Sequence, residues 1–436
     1  MEMEYWAIVM FAAAIVLLMA GFPVAFTLGA IAMAFGGIFL GWQEFELLPM
    51  RVWGVMTNFS LLAVPLFVFM GVILERSGIA EEMLDTVERL LGQLRGGMAI
   101  AIVLVGAVLA ATTGVVGATV VAMGVIALPV MLKNGYDKRL ATGIIASSGT
   151  LGQIIPPSII LILLGDVMGV AAGELFAAAV VPGLLLVLVF MAYVMVIALL
   201  RPELVPAARM KEDVSGLADK VVKNLVPVML LVVAVLGSIF FGIASPTESA
   251  AVGALGSMVL AAMHRRMSFA NLRDSSRQTA RLTSMVFMVL IGATAFGLVF
   301  RSMGGDIVVE DVMTVLPGGE WSFLAASMLL IFVLGFFLDF LEICFIVVPI
   351  LAPIAELLGI DMLWFAILIA MNLQTSFLTP PFGFSLFYLK SVAPPSIRIQ
   401  DIYRGVMPFI ALQILILILI VMFPQLARWL PGLMGE

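Results

Sequence analysis

The chain has 436 residues, of which 63% are hydrophobic and 11% charged, whereas a soluble domain carries roughly 45–50% apolar and about 25% charged residues; lipid, not water, is its main solvent. A formal net charge of −6 says little about partners in such a chain, because the placement of Lys and Arg matters more than the sum. A lone Cys344 excludes an internal disulfide, and with His264 the sole histidine and no Gly-rich loop ending in Lys-Ser or Lys-Thr, Cys/His metal centres, redox chemistry and ATP hydrolysis are excluded.

Taken in chain order, apolar runs long enough to cross ~30 Å of hydrocarbon predict full spans near 5–20, 22–40, 60–75, 140–165, 176–200, 225–243, 245–263, 283–300, 362–390 and 406–430. The opening Met1-Glu2-Met3-Glu4 has the wrong sign for the basic start of a cleaved signal peptide, so the first span is expected to be retained. Glu75 to Arg95 is charged and amphipathic, and reads as an interfacial helix or a plain surface helix. Two stretches, 98–131 and 322–357, are too long for one span and are interrupted, by Thr112-Thr113-Gly114 through Thr119 in one and by Asp339 to Glu342 in the other. Both read as re-entrant helical hairpins. The spans 140–165 and 362–390 carry Pro156-Pro157 and Pro380-Pro381 and read as broken helices. His264, inside His264-Arg265-Arg266, is expected as a solvated cytoplasmic side chain, and Cys344 and the methionines as packing.

Adding 224 to a residue number lays the first half on the second: Pro156-Pro157 falls on Pro380-Pro381, Pro129 on Pro353, and Gly135-Tyr136-Asp137 on Gly359-Ile360-Asp361. The organisation predicted is a first repeat over 1–200, a cytoplasmic linker over 201–224, and a second repeat over 225–436. An odd number of full spans in each half, plus a hairpin that returns to its own side, starts the second copy from the opposite face. The fold class predicted is therefore an all-α polytopic membrane protein with an inverted-topology repeat, about ten full spans and two re-entrant hairpins. Charge gives an independent test. Placing 76–97, 132–139, 201–224, 264–282 and 390–405 in the cytoplasm leaves only Arg51, Arg301 and Arg428 of the 22 Lys and Arg outside, so both termini are expected on the periplasmic side of an inner membrane.

Inverted repeats with helices broken at the midplane suit secondary transport, since two related conformations face opposite sides. Broken backbone inside a membrane is tolerable only where it lines a cavity or holds an ion. The first candidate site joins Thr112, Thr113, Gly114 and Gly117 to the segment containing Ser147, Ser148, Gly149, Thr150, Gln153, Pro156 and Pro157; small residues and hydroxyl oxygens suit a hard cation. The second joins Asp339 and Glu342 to Asn372, Gln374, Thr375, Ser376, Thr379, Pro380 and Pro381. Carboxylates there are expected to be functional, because ionised groups in hydrocarbon are costly. Thr112, Thr113, Gly114, Gly149, Thr150, Asp339, Glu342, Thr375, Ser376 and Thr379 are assigned to sodium; Ser147, Ser148, Gln153, Pro156, Pro157, Asn372, Gln374, Pro380 and Pro381 to substrate. The competing readings are hydroxyls bonded only to their own helix, Pro-Pro as a plain kink, and the carboxylates as a structural pair. No residue set supports an enzyme, no continuous polar stripe supports a channel, and a stand-alone carrier of divalent anions is the nearest alternative.

Across nearly the whole chain the sequence resembles the large membrane subunit of tripartite ATP-independent periplasmic (TRAP) transporters. The resemblance is carried by Gly135-Tyr136, Gly149-Thr150-Leu151-Gly152, Ile155-Pro156-Pro157-Ser158, Ser245-Pro246-Thr247-Glu248-Ser249-Ala250, Gly335-Phe336-Phe337-Leu338-Asp339, Pro349, Pro353 and Thr379-Pro380-Pro381-Phe382-Gly383. It implies sodium coupling with no other cofactor, sodium sites at the hairpin turns and opposing breaks, and an elevator motion of a transport domain against a scaffold. It also implies two partners, a small four-helix membrane subunit and a soluble periplasmic protein that captures a small organic acid. Phe340-Leu341-Glu342-Ile343 and Gln374-Thr375-Ser376 depart from the commoner family pattern and look similar to a branch associated with 2-oxo acids and other monocarboxylates.

Overall fold

A computed structural model describes residues 2–91, 94–114, 116–205, 216–315 and 317–434. In chain order its helices are α1 (Glu2–Met19), α2 (Val24–Phe35), α3 (Leu48–Met56), α4 (Ala63–Arg76), α5 (Ile79–Leu91), α6 (Gly97–Thr113), α7 (Val116–Lys133), α8 (Lys138–Thr150), α9 (Ile159–Met168), α10 (Ala172–Leu200) and the short α11 (Leu217–Lys220). The second half follows with α12 (Val226–Phe240), α13 (Pro246–Met263), α14 (Phe269–Ser302), α15 (Gly305–Thr314), α16 (Glu320–Leu334), the single turn α17 (Phe340–Glu342), α18 (Val348–Leu357), α19 (Met362–Leu378), α20 (Phe384–Val392), α21 (Ile399–Met422) and α22 (Gln425–Met434). Among the described residues there is no strand. Of the expected linker 201–224, residues 206–215 lie outside the described residues, as does Val115 in the first hairpin.

Among the described residues, six unbroken helical runs are long and apolar enough to cross a bilayer alone, or seven spans if the pair Trp42–Met56 and Ser60–Arg76, bent by 55°, is one span. The sequence predicts more because several predicted spans are broken. Residues 140–165 fold as α8 and α9, and 362–390 as α19 and α20; Pro removes a helical N–H and restricts the residue before it. Both Pro156-Pro157 and Pro380-Pro381 peptide bonds are cis. The first hairpin turns at Gly114, as expected. The second turns earlier than expected, over 335–339, so that Asp339 caps the returning arm and Glu342 lies in its first turn. The charged helix expected over 75–95, interfacial or plain surface, is α5, and α15 lies 224 residues on.

The two halves interleave instead of forming separate bodies. From the first half α4 packs on α13 and α14, and α2 on α14; from the second half α21 packs on α8 and α20 on α7. Glycines let these backbones touch: a Cβ on Gly405 would stand 2.1 Å from Arg139 O, one on Gly143 2.2 Å from Gly405 O, and one on Gly292 2.5 Å from Ala25 O. Small residues replace the hydrophobic drive that lipid removes between helices. The Ser245-to-Ala250 motif builds the entry to α13: Ser245 and Glu248 form a reciprocal capping box, and Thr247 donates to Phe59 O at 3.0 Å. That holds the bend before α4, where Asn58 also donates to Asp166 of α9.

His264 is not the solvated residue expected. Its side chain is 2% exposed, with Nε2 3.5 Å from Glu82 of α5 and Nδ1 2.9 Å from Leu260 O, because α5 folds back over the end of α13. The same helix is tied to α11 by Lys220 and Asp85 at 3.0 Å and to the helical turn Val221–Leu225 after it by Asn224 donating to Thr86 at 3.0 Å. Burial alone would raise the Asp85 carboxyl, but hydrogen bonds from Lys220 and Arg89 outweigh it and hold the group below its ordinary value.

Candidate functional site

At the first break, α6 ends on Gly114 in the left-handed region, φ 60°, a conformation glycine adopts without strain. Its Cβ position lies 3.2 Å from Ile159, the first residue of α9, so the turn of the hairpin abuts the far side of the broken helix. Thr112 and Thr113 both donate to Leu109 O at 2.9 Å, and Thr113 shares a hydrogen bond of 2.8 Å with Thr119. On the opposing strand of the break, Ser147 donates to Gly143 O at 2.6 Å, Thr150 to Ser147 O at 2.8 Å and Ser158 to Gln153 O at 2.8 Å. A Cβ on Gly149 would meet Val120 at 2.2 Å, so Gly149 serves packing against α7. Pro156 and Pro157 are buried. Gly117 lies 3.1 Å, measured from its Cβ position, from the Tyr388 ring, and belongs to the α7–α20 contact.

The second break is more open: Pro381 and Phe382 are exposed, while Pro380 is half-buried. Thr375, Ser376 and Thr379 donate to Met371 O, Leu373 O and Thr375 O at 2.9, 2.8 and 2.7 Å. Asn372 donates to Met328 O of α16 at 2.6 Å, and a Cβ on Gly335 would lie 2.2 Å from Ser376 Oγ; the hairpin and α19 are thus locked together. Asp339 accepts from Phe340 N at 2.7 Å and Glu342 accepts from Asp339 N at 2.8 Å, a capping box of the kind that starts helices. Neither carboxylate forms an ion pair with a described Lys or Arg. The structural pairing weighed against a functional one is therefore present.

Apart from Ser148, the hydroxyls of both clusters donate to nearby backbone carbonyls, which leaves them only lone pairs to offer a ligand. Unsatisfied buried capacity lies on three of the cluster residues and on Gln413: Ser148 Oγ, both polar atoms of Gln153, and the Oε1 atoms of Gln374 and Gln413 lack partners, and all four residues are 0% exposed. Gln374 and Gln413 donate to Thr150 Oγ1 at 3.5 and 3.3 Å. An unsatisfied buried acceptor costs about 1–3 kcal/mol, and neutral oxygen acceptors match a hard cation. The structure thus gathers the first break, α19 and α21 around Thr150, and sets Asp339 and Glu342 apart at the second hairpin. Sequence reading passed over Gln413; the signal was a lone amide inside Ala411-Leu412-Gln413-Ile414-Leu415.

Over residues 11–426 the chain matches the family described as tripartite ATP-independent periplasmic transporter, DctM component. It is 31% identical over 390 residues to the C4-dicarboxylate TRAP transporter large permease protein DctM of Pseudomonas aeruginosa, spanning 89% of this chain and 90% of that one. To the isethionate TRAP transporter permease protein DctMQ of Oleidesulfovibrio alaskensis it is 30% identical over 418 residues, spanning 95% of this chain but 65% of that longer one. The fold is shared with the crystal structure of the Alcanivorax borkumensis YdaH transporter at a TM-score of 0.63 and 13% identity, covering 96% of this chain and 98% of that one. With a family match along almost the whole length and a full-length permease relative, this multi-pass membrane chain is a transporter component and not an enzyme: it belongs to the DctM component family of tripartite ATP-independent periplasmic transporters.

Proposed function

We propose that this chain is the translocating permease subunit of a sodium-coupled importer of small organic acids in the inner membrane. It works with a small four-helix membrane subunit and a soluble periplasmic protein that delivers the cargo. The observation that carries the reading is the buried set of oxygen acceptors on the first break, α19 and α21, with two carboxyl groups at the second hairpin turn that pair with no described Lys or Arg. Both arrangements favour bound cations, and a cation held beside a broken helix offsets the charge of an anionic cargo. The named cargoes of the two relatives, a C4-dicarboxylate and isethionate, are small organic anions, which supports the cargo class. The two hairpins and broken helices form the transport domain and slide as an elevator against a scaffold built on α2, α4, α13 and α14. The two halves, 1–200 and 225–436, cross the membrane in opposite senses with both termini periplasmic.

The test is uptake of a panel of radiolabelled carboxylates into proteoliposomes holding this chain and the small subunit, with and without sodium and the periplasmic protein. Uptake that needs both supports the tripartite sodium symporter. Uptake without the binding protein replaces it by a stand-alone carrier, and uptake indifferent to sodium removes the ion assignment.

A further inference from the structure

We infer that the apolar cavity between α1, α14, α15 and the second hairpin seats one acyl chain of a phospholipid from the periplasmic leaflet; the choice of leaflet rests on the orientation proposed above. The cavity has a volume of about 230 Å³, and every side chain lining it is apolar, from Ile8 of α1 and Phe300 of α14 to Val309 of α15 and Leu330 and Leu351 of the hairpin. Water needs several polar partners and is a poor filler, while an empty void leaves its lining atoms without contacts on one side. The repeat does not demand such a gap. On α5, 224 residues earlier, Ile79, Met83, Leu84 and Val87 are buried, whereas Val308, Val309 and Met313 of α15 are half-buried and Val312 is exposed. Helix α15 thus stands off the second hairpin, where α5 is packed.

The depth fits a lipid tail. Tyr5 and Trp6 of α1 and Trp321 of α16 are exposed and mark the headgroup level, where amphipathic rings settle. At about 1.5 Å per helical residue, Ile8 lies about 5 Å and Leu330 about 14 Å below that level, within the ~15 Å of hydrocarbon in one leaflet. The cavity opens outward at Ile8 and Val312, 47% and 59% exposed, and is closed at its far wall by Phe300, Val347 and Leu351, each 2% exposed or less. A transmembrane helix, about 10–12 Å across with its side chains, is too thick for it. The charge at the rim complements a phosphate: Arg301, next to Phe300 at the periplasmic end of α14, is exposed and forms no ion pair with a described Asp or Glu. A phospholipid supplies both parts, an apolar chain for the cavity and an anionic oxygen for the guanidinium.

The test is photolabelling of the full chain, reconstituted with the small membrane subunit in phosphatidylethanolamine–phosphatidylglycerol vesicles. The vesicles carry a phosphatidylethanolamine probe with a diazirine midway along its acyl chain, and adducts are mapped by mass spectrometry. The expected result is labelling of Leu351, which lines the cavity and is 1% exposed, alongside Leu188 of α10, whose 59% exposure reports ordinary lipid contact. Val309→Trp fills the cavity and is expected to lower Leu351 labelling at least tenfold, with Leu188 labelling and thermal unfolding unchanged. Arg301→Gln leaves the walls intact and is expected to lower it about fivefold, through loss of one cation at a lipid headgroup. Labelling of Leu188 without Leu351 in the parent chain, or of Leu351 undiminished by Val309→Trp, overturns the site. Labelling of Leu351 that Val309→Trp removes and Arg301→Gln leaves untouched overturns the phospholipid as its occupant. An inverted orientation, read separately from cysteine accessibility, overturns the leaflet and leaves the seat in place.

Discussion

At the scale of single residues, the two candidate clusters differ in how they could hold an ion. Asp339 can offer a carboxylate, and because Asn is as good an N-cap as Asp, Asp339→Asn keeps the turn while removing that group. Transport by this variant should need more sodium for half-maximal rate, with Glu342→Gln acting the same way; sodium titrations identical to the parent in both would take the carboxylates out of the ion site. Gln413→Leu tests the neutral cluster. Loss of one oxygen ligand should raise the half-maximal sodium concentration about tenfold, equivalent to about 1.4 kcal/mol, and no change would leave Gln413 a purely structural amide. The carboxylates and the hydroxyl runs were legible in the sequence because polar residues are rare in an apolar stretch. Which of them retain free capacity was not legible. That depends on whether each hydroxyl turns back to its own helix, as Thr375 does to Met371 O, or finds nothing, as Ser148 does.

Among the elements, the broken helices and hairpins were anticipated by Pro pairs and by length, but the exact turn at 335–339 was not. A Gly335 that needs close approach to Ser376 and a reciprocal Asp339–Glu342 cap both depend on tertiary neighbours. The crossing of α8 and α21 gives a stability prediction: Gly405→Ala places a Cβ against Arg139 O, and such overpacking costs about 1–3 kcal/mol. Thermal unfolding in detergent should fall accordingly, and an unchanged midpoint would mean the crossing can widen. The α5 attachment is pH-sensitive in a definite sense. Asp85 is held below its ordinary value, so its pairing with Lys220 stabilises the folded state above the unfolded carboxyl value of about 4 and is lost as pH falls through the depressed folded value. Hydrogen exchange over 79–91 should therefore quicken on acidification and with Lys220→Ala, by a small amount since the pair is half-exposed.

For the whole molecule, the spacing of 224 was visible in the sequence, but the way the halves interleave was not, since nothing in either half names its neighbours. Charge placement predicts the topology. Ser396→Cys should react with an impermeant thiol reagent only from the cytoplasmic side and Glu320→Cys only from the periplasmic side; the reverse pattern would invert the orientation.

Thr150 and Gln374, the two residues whose side chains meet at 3.5 Å, are 224 positions apart, so each is the other's counterpart. At such a point the two copies of the predicted repeat confront each other. Here one copy carries a hydroxyl and the other an amide, a complementary pair. Exchanging the two residues should therefore disturb the protein less than changing either alone.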